Sequence, residues 1–60
     1  MIGTLWQNIH TQNIAKILSE PSPGLFELMY ENREGLPEYY QTSHNWQLRD
    51  LHKHWRELDV

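Results

Sequence analysis

Apolar residues fall along the chain in three clusters, and their spacing predicts helices. In the first cluster Leu5, Trp6 and Ile9 share one arc at about 100° per residue, and Ile14, Ile17 and Leu18 drift to the next. Thr4 followed by Gln7 reads as a capping box, and Pro21 reads as a stop. A helix over about 5–19 is expected, bent near Thr11 or touching two neighbours. In the second cluster Leu25, Phe26, Leu28, Met29 and Tyr30 cover a wide arc, with Glu27, Glu31 and Glu34 opposite. Ser22-Pro23 supplies a start signal, and Gly35 with Pro37 a stop. These bound a helix over about 23–34. In the third cluster Leu48, Leu51, Trp55 and Leu58 recur at spacings of 3, 4 and 3. Thr42 or Ser43 caps that helix, over about 44–58, and Arg49, Lys53 and Arg56 line its far side.

Four Ile, one Val and three Thr are few for a sheet, and alternating runs are short. The expected fold class is therefore all-α. It is a single domain, either a small three-helix bundle or a helical hairpin plus a third helix, with self-association as a way to complete it.

Size limits what this domain can do. A chain of 7.3 kDa exposes roughly 10,600 Å² unfolded and roughly 4,200 Å² folded. Apolar burial on that scale stabilises by about 95 kcal/mol, and ordering the chain costs about 90 kcal/mol. The near-cancellation makes the fold marginal alone, and no cysteine is present to form a disulfide. A partner or a second copy would add stability.

Composition removes several function classes. Without cysteine there are no thiolate zinc sites, iron–sulfur clusters or thiol nucleophiles. There is no phosphate loop and no dinucleotide fingerprint. No apolar run reaches the ~18 residues of a membrane span, and Met1 to Trp6 do not read as a signal peptide. A cytoplasmic setting is the expectation, with no membrane partner. Five Lys and Arg stand against eight Asp and Glu, the wrong balance for binding nucleic acid. Ile14 to Leu18, a turn, then Leu25 to Leu28 imitates the rhythm of a helix-turn-helix. Its second segment, Phe26 to Glu34, is acidic, so this alternative is disfavoured.

The charge is uneven. Residues 20–38 hold five Glu against Arg33, a net −4. His44, His52 and His54 suggest a metal cluster, but helical geometry separates them. His52 and His54 lie about 200° apart around an axis, and His44 and His52 about 12 Å apart along it. Zinc would need His10 or a carboxylate from elsewhere, so neither metal nor cofactor is expected. Ser43-His44 and Glu31 with Glu34 imitate catalytic pairs, but sixty residues rarely build a dry pocket, and no enzyme is expected.

Aromatic residues carry the remaining signal. Trp6, Phe26 and Trp55 sit on apolar arcs and read as core. Trp46 projects from the far side of the leucine stripe, with Tyr39 and Tyr40 ahead of it and Tyr30 at the rim of its own arc. Exposed Trp and Tyr bury much area with few rotors, which suits interfaces. The alternative is that Trp46 closes the end of the core. The expected function is a small non-enzymatic adaptor, inhibitor or regulator acting by protein–protein contact. Trp46, Tyr39, Tyr40 and Tyr30 would anchor it, while Glu27, Glu31 and Glu34 would steer it to a basic partner surface. A homo-oligomeric structural protein, a homodimer paired through the Leu48–Leu58 stripe, is the alternative.

Overall fold

Alternation between two faces of a sheet, rather than a 3.6-residue rhythm, organises the chain. The computed structural model describes residues 1–31 and 34–58. In chain order it holds β1 (Leu5–Asn8), β2 (Ile14–Ser22), β3 (Leu25–Tyr30), a 3-10 turn (Glu38–Gln41), β4 (His44–Gln47), α1 (Leu48–His54) and β5 (Trp55–Glu57). The five strands form one antiparallel sheet in the order β4-β3-β2-β1-β5. It curls into a half-barrel.

The all-α expectation and the three-helix bundle are therefore overturned. The span 5–19 is two strands joined by a tight loop. The span 23–34 is β3 with the start of a connector, and its residues Asn32 and Arg33 lie outside the described residues. The span 44–58 is strand, one short helix and strand. The helix-turn-helix alternative loses both of its helices.

Inward residues explain the pairing. Trp6 and Asn8, Ala15 and Ile17, and Phe26, Leu28 and Tyr30 alternate into the concave face, and all are buried. Register places Trp6 opposite Ala15, Ala15 opposite Tyr30 and Ile17 opposite Leu28, so the core is continuous across three strands. Leu51 from α1 and Trp55 from β5 cover it, with Leu36, Tyr40 and Trp46 packed against its rim. The folded surface is 4214 Å², close to the area expected for a folded chain of this mass.

The outer face explains why helices were expected. Leu5, Ile14, Leu18, Leu25 and Met29 point away from the core, yet they are apolar. Strands with apolar residues on both faces lose the clean period of two, and short apolar runs then fit helical arcs equally well.

Local chemistry sets the turns. Pro23 and Gly24 connect β2 to β3, with Ser22 paired to Leu25. Gly24 has φ 80°, as the third residue of a type II turn requires. Pro21 sits where the β2–β3 register shifts, so it breaks no regular ladder. Gly35 also has positive φ (84°), but it lies in a connector rather than at a helix end. Thr4 caps no helix: its hydroxyl donates to the Met1 carbonyl and accepts the Trp6 indole N–H at 2.9 Å. The Leu48, Leu51, Trp55, Leu58 stripe does not form an exposed face, because Leu51 and Trp55 are core and only Leu48 is exposed.

A candidate strand-docking edge

β4 is an edge strand, and its pairing fixes which backbone groups are free. Leu48 N–H donates to the Gly24 carbonyl at 2.8 Å, and Trp46 and His44 stand opposite Phe26 and Leu28. In an antiparallel ladder the hydrogen-bonded pairs alternate. Leu48, Trp46 and His44 therefore point their amides at β3. Asn45 and Gln47 point theirs away from the sheet, and no described group receives those N–H bonds. A carboxylate holds this edge in place. Glu27 on β3 accepts the Ser19 hydroxyl of β2 at 2.9 Å and the Ser43 hydroxyl ahead of β4 at 3.0 Å.

Side chains build a shallow, open cleft of ≈580 Å³ along this edge. Asn45, Gln47, Tyr39, His44 and Trp46 line it, with Leu25, Arg49 and Asp50 at its margins. The Tyr39 ring lies tilted against His44, with centroids 4.3 Å apart. His44 Nε2 donates to the Tyr39 carbonyl at 2.7 Å, which fixes the ring and leaves Nδ1 as the free nitrogen. Tyr39 is 66% exposed, the most exposed aromatic of the described chain. Trp46 is half-buried, edge-on to Trp55 at 6.0 Å. That contact joins the two edge strands and closes the half-barrel. Asp50 is the acidic group of the cleft's lining, and it faces Arg49 Nε at 3.8 Å.

The seven residues expected to form a binding surface separate on this scaffold. Trp46 and Tyr39 come together in the cleft. Tyr40 turns inward, edge-on to Tyr30 at 5.0 Å. Tyr30 is core, against Trp55 at 5.7 Å. Burial, and beside it the phenols of Tyr40 and Tyr39, pushes the Tyr30 hydroxyl up from its ordinary value of 10.0. The acidic face does not form as one surface. Glu27 is taken by two hydroxyls, Glu31 pairs with Lys16 at 3.7 Å on the outer face, and Glu34 stands exposed in the connector. Sequence reading missed His44, Asn45, Gln47, Leu25, Arg49 and Asp50. The signal for the first three was present, because His44-Asn45-Trp46-Gln47 alternates ring and amide as a half-buried strand does.

No protein-family model matches this chain, and no curated protein or solved structure matches it either. No helix among the described residues is long and apolar enough to cross a membrane.

Proposed function

We propose that the chain is a small non-enzymatic interaction module, acting as an adaptor, inhibitor or regulator by protein–protein contact. It takes an extended segment of a partner protein as an added strand on the free edge of β4. The observation that carries this reading is the pair of outward amides at Asn45 and Gln47, two residues that line a cleft shared with Tyr39, His44 and Trp46. In strand addition, main-chain bonds supply affinity and alternate side chains supply specificity. An apolar side chain of the segment rests on Trp46 and the Tyr39–His44 pair. Basic side chains suit Asp50 in the cleft's lining and the net charge of −3. Natural edges are normally shielded by charge, proline or a covering loop. Asn45 and Gln47 carry none of these. A cytoplasmic setting goes with this reading, since a chain without cysteine suits a reducing compartment.

The test is selection of binders from a displayed library of extended peptides, followed by titration into the labelled protein. The expected result is peptides rich in apolar and basic residues that shift the β4 signals. Asn45→Pro removes one outward N–H without touching the β3 ladder and should abolish binding. Peptides that bind Asn45→Pro as tightly as the parent would overturn the reading. A concentration-dependent dimer that protects Asn45 and Gln47 without any peptide would assign the edge to a second copy instead.

A further inference from the structure

A second group of side chains, none of them in the cleft's lining, lies where the β1–β2 loop meets the end of α1. His10 Nε2 and His54 Nδ1 are 3.1 Å apart, although forty-four positions separate them in sequence. Their ring centroids are 5.3 Å apart. Both backbones are held. The buried Asn8 side chain accepts the amides of His10 at 2.8 Å and Thr11 at 3.0 Å, fixing the loop. Ile9 N–H donates to the His54 carbonyl at 2.9 Å, tying that loop to the helix end. The Trp46 ring packs 5.9 Å from the His54 ring.

We propose that His10 and His54 form a two-imidazole chelate for a borderline divalent transition ion such as Zn²⁺, Ni²⁺ or Cu²⁺. Two nitrogens bound to one ion at ~2.0–2.1 Å stand about 2.9 Å apart at a right angle and about 3.3–3.4 Å apart at the tetrahedral angle. The observed 3.1 Å lies between these limits, so the nitrogens already stand at a chelating separation. An ion at ~2.0–2.1 Å from both lies off the line between them, so each imidazole turns by roughly 40° from a linear hydrogen bond to face it. No group of three or more His, Asp or Glu side chains converges on a metal position among the described residues, so water completes the shell. Imidazole pairs favour this class of ion, whereas Mg²⁺ and Ca²⁺ require oxygen ligands. The bound ion staples the loop to the helix end and stabilises the folded state by mass action. Helical spacing alone could not bring these residues together. The sheet does so, by pairing β1 with β5.

Calorimetric titration of the whole chain with Zn²⁺, Ni²⁺, Cu²⁺ and Mg²⁺, alongside melting curves, tests the site. The expected result is one ion per chain, Cu²⁺ tightest and Mg²⁺ silent, with a melting temperature raised by the first three. His10→Ala, at an exposed position, should weaken binding by at least about tenfold, as should His54→Ala. His52→Ala and His44→Ala should leave it unchanged. In Zn²⁺-loaded protein the imidazole signals of His10 and His54 alone should shift. No saturable binding, or binding that survives both His10→Ala and His54→Ala, would overturn the proposal.

Discussion

At one edge of the sheet, β5 contributes three residues and leaves little unpaired. Leu58 N–H reaches the Leu5 carbonyl and the Ile9 amide reaches His54, so the β1 ladder continues past both ends of the strand. The Trp55 amide, which points away from β1, is taken by the Leu51 carbonyl at the end of α1. At the other edge, β4 offers two successive outward amides, with exposed Tyr39 beside them. Both edges carry a tryptophan, and the two rings meet. The difference lies in backbone pairing: α1 takes one of the two outward amides of β5, leaving that of Glu57, and takes neither outward amide of β4. A curled sheet of this size can thus close its core and still retain one competent edge.

The comparison can be broken by substitution. The largest effect is expected at Trp55, whose loss to Ala should destabilise the fold by about 3–5 kcal/mol in denaturant unfolding. The next separates the edges directly. Arg56→Pro removes an amide aimed at Gln7 of β1 and should cost about 1–3 kcal/mol through the orphaned carbonyl. Asn45→Pro removes an outward amide, so the same assay should show a smaller loss. An equal loss at both positions would mean that β4 is not open.

Alkaline titration gives a subtler effect. The Tyr30 phenol ionises at higher pH folded than unfolded, so above about pH 10 the unfolded chain binds fewer protons. The stability held below that value should therefore fall as pH rises through the folded value. Tyr30→Phe should flatten this fall, and an unchanged alkaline slope would contradict the burial of that hydroxyl. The smallest stability change belongs to Tyr39→Ala, within about 0.5 kcal/mol by melting, although it should cost the cleft its binding.

Much of the core was legible in the sequence, and little of the architecture. Trp6, Phe26 and Trp55 read as core and are buried. Apolar residues at Leu25 and Met29 on the outer face hid the alternation of β3 under a helical arc. The Pro23-Gly24 pair between two apolar runs was a hairpin signal, but Ser22-Pro23 was equally good as a helix start. The third segment was the hardest. Its stripe of Leu48, Leu51 and Trp55 is helical only as far as His54, and Trp55 reaches the core as the first residue of a strand. At the candidate site Trp46 was legible as an aromatic off the leucine stripe of its expected helix, and Tyr39 as an aromatic in the connector ahead of it. Their shared cleft was not, because it depends on β4 pairing with β3. The His10–His54 contact was equally hidden, since it depends on β1 pairing with β5.

Amide hydrogen exchange along β4, with and without a selected peptide, tests the central claim most directly. Free protein should show slow exchange at Trp46 and fast exchange at Asn45 and Gln47, and the peptide should slow both fast amides. If Asn45 and Gln47 stay fast in the saturated complex, the partner does not add a strand to this edge. If Trp46 exchanges as fast as its neighbours in the free protein, β4 is not paired with β3 and the site does not exist.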